Sequence, residues 1–444
     1  MVALRDPALG SHEVLGTHVH SCLTRASRQI ARGPDTFTAT RHGSSHDHDV
    51  VKGQEHPSGA RSAILFRAWE GFDWDDDDVQ NLRAMQDDLS NLTDAEGQPA
   101  FDIVILMHIH NASLVDTKTS DQIIQDLVPN EFASMTHLWT YNDTQAAYPL
   151  VGDYEVYYHM FMALQLFSQH NPRYETLWNW EMDVRYTGRH EFFQKTGQWA
   201  DKQLADDTLH QNQRFHVPCP ERPFNNSAAL SVCHDLDEEY VDDTYATSTD
   251  IRSGEETDLI TLLPLFDVAG TMWPFKDHTY NYDLRPSWLS PRLASVGTNL
   301  RLSKRLLQIM HEENLAGRSM VSEMWPATAA HHAGLKTVYA PHPMYFEQQW
   351  SAEQLETTFN AGANGRVGGS LNTVVNQEEN FRGSTWYWTT EFGPQLYHRW
   401  MGLAHEGPGS SEWEEDHGLM CLPAMLLHPV KTSALRKTTR TDAG

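Results

Sequence analysis

Phe101-Asp102-Ile103-Val104-Ile105-Leu106-Met107 constrains this chain more than any other stretch, because apart from Asp102 it is apolar without alternation. A strand covered on one face alternates apolar and polar residues, whereas a continuous run suits a strand buried on both faces of a parallel sheet. Parallel strands need long crossovers, usually helices. A similar run, Ala63 to Trp69, comes earlier, and between the two Val79, Leu82, Met85 and Leu89 recur at helical spacing. Asp75 to Asp78 stand ahead of that helix, where acids suit the positive end of its dipole better than they suit a calcium loop. Leu138-Trp139 reads as a third strand, residues 153–169 as a helix, and Trp178 to Gly188 as a fourth strand with its exit. Repeated β-α-β order predicts an α/β fold with a mostly parallel central sheet flanked by helices.

Further along, a helix carries Phe192 and Phe193, and Leu259 to Leu263 resumes a strand. Leu302, Leu306, Ile309 and Met310 mark an amphipathic helix with Arg301, Lys304 and Arg305 on its wet side. Ser322-Glu323-Met324-Trp325-Pro326 opens another helix, and Leu335 to Ala340 is a late strand that stops at Pro341. Length alone, 444 residues, suits two or three domains. The patterning instead predicts one domain over 61–431, with an irregular acidic insertion at about 200–257. Residues 1–60 are rich in Gly, Ser, His and Arg without a period, and are expected to be disordered or loosely attached. Their His42, His46 and His48 could bind a transition metal but read first as part of a flexible polar tail, and 432–444 reads as a flexible end.

A net charge of −27 argues against nucleic acid and anionic membrane surfaces as partners. No apolar run approaches the roughly 18 to 20 residues that span a bilayer, and no signal-peptide core opens the sequence. The chain is expected to be soluble, with no membrane span. None of the four Cys lies in a Cys-x-x-Cys pair; Cys219 and Cys233 flank a loop-like segment that could hold a local disulfide. Asn-x-Ser/Thr sequons at Asn91, Asn111, Asn142 and Asn225 lean towards a secretory compartment. There is no Walker loop, Gly-x-Ser-x-Gly elbow or His-Glu-x-x-His.

Glu181 and Asp183 carry the chemistry. Two residues apart in an extended backbone, they would point to one face at the C-terminal end of a strand, where open α/β sheets bind ligands. Converging carboxylates repel unless a proton or cation lies between them, and a hard divalent ion such as Mn²⁺ or Mg²⁺ is one resolution. The other is a strand end whose acids pair with Arg185 and Arg189. Glu323, at a helix start, is either a plain N-terminal helix acid or a functional carboxylate, and is expected to have its pKa lowered by the dipole. His428 lies between Leu427 and Pro429, where either a buried hydrogen-bonded His or a ligand fits. Arg67 ends the first strand, either as a structural Arg or within reach of a nucleotide, and Gly270 stands in either a simple turn or a loop that approaches the donor. Asp116 and Asp143 follow strands at weaker candidate positions. His331-His332 follow Glu323 by about two helical turns, and Trp386 and Trp388 alternate as in a strand, either packing in the core or stacking on a sugar.

In order, Glu181-x-Asp183, Glu323 in Ser-Glu-Met-Trp-Pro and His428 in Leu-Leu-His-Pro-Val-Lys resemble a fungal family, domain of unknown function 3405. Asp258 to Leu262, Tyr339 to Pro343 and Cys421 to Lys431 extend the resemblance over about 60–431. The family looks like a glycosyltransferase A-type enzyme, a Rossmann-like nucleotide-sugar fold. The resemblance implies a nucleotide-sugar donor, a carbohydrate, glycan or small-molecule hydroxyl acceptor, and Mn²⁺ or Mg²⁺ as cofactor. It gives Glu181, Asp183 and His428 the metal, and Glu323 the role of base. Arg67, Arg185 and Gly270 fall to the donor, and Trp325, His331 and His332 to the acceptor side. The first acid of the pair is Glu instead of the family type's Asp, so direct ligation is expected of Asp183 first. Family members commonly look anchored near the N-terminus, which points to a Golgi-like lumen, although residues 1–60 carry no anchor and a cytoplasmic location stays open. A metal-dependent hydrolase of glycosides or phosphoesters and a non-catalytic carbohydrate-binding protein are the competing readings.

Overall fold

The computed structural model describes residues 62–94, 97–203, 256–269, 271, 273–282, 291–340, 342, 344, 384–388, 390, 392–401 and 424–431. The expectations for residues 1–60, the acidic insertion, Cys219 with Cys233, Asn225, Gly270 and the tail fall on residues outside this set, apart from the insertion's two edges. The first unit runs β1 (Ser62–Trp69), α1 (Asp76–Ser90), β2 (Phe101–Ile109), α2 (Ala112–Thr117), α3 (Ser120–Leu127) and β3 (Thr136–Thr140). It continues through α4 (Tyr141–Ala147), α5 (Val156–His159), α6 (Phe161–His170) and β4 (Thr176–Glu181) to β5 (Arg185–Tyr186) and α7 (Phe192–Lys202). The second holds β6 (Leu259–Thr261), β7 (Phe266–Asp267), β8 (Thr279–Tyr280), β9 (Leu293–Ala294), β10 (Leu300–Ser303) and α8 (Lys304–Leu315). Last come β11 (Ser319–Met320), α9 (Trp325–His332), β12 (Thr337–Tyr339), α10 (Phe392–Trp400) and β13 (Leu426–Leu427).

Seven strands form the central sheet in the order β12-β6-β10-β4-β1-β2-β3. All pairings are parallel except those of β10, which runs antiparallel to both β4 and β6. The α/β expectation holds, with this one antiparallel strand as the departure. Residues of β1 alternate between two cores: Ala63 and Leu65 belong to one, Ile64, Phe66 and Ala68 to the other. The first core is covered by Phe161, Leu164 and Phe167 of α6 and by Leu306, Leu307 and Met310 of α8. Leu82, Met85 and Leu89 of α1 and Phe193 of α7 cover the second. Burial on both faces is why the strands read as continuous apolar runs.

Two local readings change. Residues 300–303, expected at the start of a helix, form β10, and Ser303 caps α8 by accepting from the Leu306 N–H. Leu302 and Leu306 share helical spacing by coincidence, and Arg301, expected in water, is buried and donates to the Thr257 carbonyl at 2.6 Å. The helix expected over 153–169 is two, α5 and α6, meeting at Met160. Asp75 does start α1: it accepts from the Asp78 N–H, and the Asp78 side chain accepts from the Asp75 N–H in return.

Candidate metal centre

Strand β1 lies between β2 on one side and β4 on the other, so the chain winds outward in both directions from the β1–β4 junction. That is a topological switch point, and ligands of such sheets bind outside the strand C-termini there. Parallel register sets Arg67 of β1 opposite Glu181 of β4 at this junction. Arg67 Nη2 donates to Glu181 Oε1 at 2.5 Å and to Thr298 Oγ1 at 2.9 Å, and Thr298 Oγ1 donates to the same Oε1 at 2.6 Å. Asn299 accepts from the Glu181 N–H, and Asn179 fastens the Thr298 carbonyl from within β4. One Glu181 oxygen is therefore fixed, and the other, Oε2, faces His428 Nε2 at 2.8 Å.

Asp183 lies past the strand end in a turn, so the same-face reasoning from an extended backbone does not describe it. It converges nonetheless. Asp183 Oδ1 lies 3.6 Å from His428 Nε2, and Lys431 Nζ approaches Oδ2 at 3.4 Å. β13 pairs antiparallel with β5, Leu427 against Arg185, and the Val430 N–H donates to the Asp183 carbonyl at 2.7 Å. This two-residue ladder carries His428 to the acids. Glu181, Asp183 and His428 each offer one ligand atom, all within 4.8 Å of one another. Burial opposes protonation of His428, but Asp183 and Glu181 overcome it and raise its pKa. For Glu181 burial pulls upward, yet His428, Arg67 and Thr298 hold its carboxyl below the usual range.

Glu323 reaches the same crevice from the turn before α9. Its Oε1 accepts from the Gly297 N–H at 2.6 Å, and its carbonyl from the Ser295 N–H. Gly297 has φ +93, a conformation that favours glycine. The expected dipole effect is overturned here. Glu323 precedes the first residue of α9 by two positions, and burial, with Glu181 adding repulsion, pushes its pKa up to about 7.

The remaining predicted residues divide. Arg67 is at the site, committed to Glu181. Arg185 is not available to a donor: its side chain is buried and ion-paired with Asp78 at 2.7 Å, with Nη1 donating to the Met182 and Val184 carbonyls. Trp325 belongs to the core, packed edge-on against Tyr282, and does not face an acceptor. His331 and His332 end the eight-residue α9, roughly 10 Å along from its start at 1.5 Å per residue. His332 Nε2 sits 3.0 Å from the Pro291 carbonyl, so the helix carries this pair away from Glu323. Asp143 caps α4 and Asp116 is exposed on α2. Trp386 is buried against His428 at 5.1 Å, whereas Trp388 is exposed.

Thr298, Asn299 and Gly297 were not foreseen, because small polar residues in a loop leave no periodicity or charge signal. Tyr157 also escaped, hidden in a helical pattern. Its ring is half exposed, and α5 is tied to the Glu323 turn by Ser322, whose Oγ donates to the Tyr158 carbonyl at 2.9 Å. Among the described residues no helix is long and apolar enough to cross a membrane. No curated protein matches the sequence. Residues 19–238 and 237–432 match the family described as Protein of unknown function (DUF3405), and the chain belongs to that family.

Proposed function

We propose that the protein is a metal-dependent glycosyltransferase that moves a sugar from a nucleotide-diphosphate donor to a hydroxyl acceptor, on a glycosyltransferase A-like sheet. The observation that carries this reading is the convergence of Glu181, Asp183 and His428 at the β1–β4 switch point, with Glu323 beside them. Two carboxylates and one imidazole suit Mn²⁺, and suit Mg²⁺ less because it prefers all-oxygen ligation. The fit is borne by converging ligand atoms: Glu181 Oε2 and Asp183 Oδ1 both face His428 Nε2, at 2.8 and 3.6 Å. A bound cation would neutralise the leaving diphosphate.

The protein's own groups supply the rest. Arg67 and Thr298 fix the Glu181 carboxylate in one orientation. Glu323, its proton affinity matched to neutral pH, takes the proton from the acceptor hydroxyl, and the Gly297 N–H holds the carboxylate in place as it does so. His428 ligates only as the neutral imidazole, so acid opposes loading. Exposed sequon residues Asn91, Asn111 and Asn142 agree with passage through a secretory lumen.

Melting with Mn²⁺ and a panel of nucleoside diphosphates tests the reading. A ligand that binds only the native state raises the melting temperature. The expected result is a nucleotide-dependent rise that needs Mn²⁺ and disappears in Asp183→Asn. If no nucleotide shifts the transition, with or without metal, the transferase reading fails.

A further inference from the structure

We propose that Tyr157 is the platform of an acceptor subsite and that the acceptor is a neutral saccharide, an inference that rests on the transferase reading for the role of acceptor. α5 is short, but its position is fixed from both sides. Ser322 Oγ donates to the Tyr158 carbonyl and accepts from the Met160 N–H at 3.2 Å, which seats Tyr157 next to the Glu323 turn. Tyr157 is 49% exposed, yet its ring is braced by Phe275 with centroids 5.8 Å apart and by Tyr158 at 5.7 Å. An aromatic ring held rigid and half in water offers an apolar face at low entropic cost to whatever covers it. A pyranose matches this demand. Its C–H face covers a ring while its hydroxyls point sideways, free to meet polar groups beside the ring.

Charge narrows the class. Glu323, Glu181 and Glu155 all act electrostatically on the Tyr157 phenol, and the chain as a whole carries −27. Burial, then Glu323 and Glu181, push the Tyr157 phenol up to about 12, so it stays a neutral donor. Phosphorylated, sulfated or uronic acceptors would meet this negative field unfavourably. A lipid chain would need a contiguous apolar patch of a few hundred Å², far more than one ring.

Equilibrium binding of fluorescently labelled cellobiose, mannobiose and di-N-acetylchitobiose, with a sulfated disaccharide as the charged probe, decides the matter on the full chain. At least one neutral disaccharide is expected to bind, and the sulfated one not to. Tyr157→Ala should weaken binding about tenfold, the upper range for an aromatic contact, while Tyr157→Phe should stay within about threefold because it keeps the ring. The proposal is overturned if Tyr157→Ala binds like the parent, if no neutral disaccharide binds, or if the sulfated probe binds equally well. The Mn²⁺ and nucleoside-diphosphate melting shift separates the two readings. It should survive Tyr157→Ala, and its loss there would assign the ring to the donor and overturn the proposal. No shift in the parent protein, with saccharide binding still dependent on Tyr157, would sink the transferase reading and leave the saccharide site standing.

Discussion

The acids of α1 and the acids at the end of β4 are the same chemical groups in opposite circumstances. Along α1 three of them have a basic partner each: Asp78 pairs with Arg185, Asp88 with His190 at 2.9 Å, and Asp77 with His398. The first two pairs are almost wholly buried, with side chains 1–9% exposed. At the β4 end the partners are shared instead: Glu181 meets both Arg67 and His428, Asp183 meets both His428 and Lys431, and the side chains of Glu181, Asp183 and His428 are 13–23% exposed. One-to-one pairing in the interior holds elements together. Acids that share an imidazole in a half-open crevice can exchange that partner for a cation, which is what the proposed metal site requires.

The comparison breaks first at Arg185. If the α1 pairs are structural, Arg185→Ala strands Asp78 in the interior and should cost about 3–5 kcal/mol, read from guanidinium denaturation. A loss below about 1 kcal/mol would put this pair on the same footing as an exposed one. On the transferase reading proposed above, Glu323→Gln should do the reverse, leaving the fold intact while lowering the transfer rate by about 10²- to 10⁴-fold. Its pH dependence carries a definite sign. The folded protein holds the Glu323 proton up to about 7, against an ordinary 4.5. The rate should therefore climb as pH rises through about 7, where the base form appears. The stability that burial of the protonated acid contributes is present below 4.5 and lost as pH rises towards 7. Glu323→Gln should flatten that part of the stability profile; an unchanged slope would deny the raised proton affinity. The smallest effect belongs to Lys431. It is 57% exposed and 3.4 Å from Asp183, so Lys431→Ala should strengthen Mn²⁺ binding by no more than about fivefold.

The sheet was legible because its strands are continuous apolar runs separated by helical periods, and burial on both faces writes that pattern directly. β10 was not, since four residues with a buried Arg301 merge into the helix that follows. At the site, the types and order of Glu181, Asp183, Glu323 and His428 singled them out. Their surroundings could not be read. The β5–β13 pairing joins segments 238 residues apart where Met425 meets Thr187, and the same pairing turns Arg185 inward to Asp78. Nothing local in Arg185 distinguishes a guanidinium that grips a phosphate from one that clamps a helix. Glu323 shows the same limit: position suggested a lowered proton affinity, and the tertiary environment reversed it.

The hydrogen bonds that orient Glu181 span sequence separations of 114, 117 and 231. None can form in a fragment or in a locally ordered chain, because each joins a different part of the molecule. Contacts this distant are slow to close, so the crevice should be among the last features to assemble during folding. A cation or nucleotide that binds there therefore reports on the whole tertiary structure, and its dissociation is an early sign of global loosening.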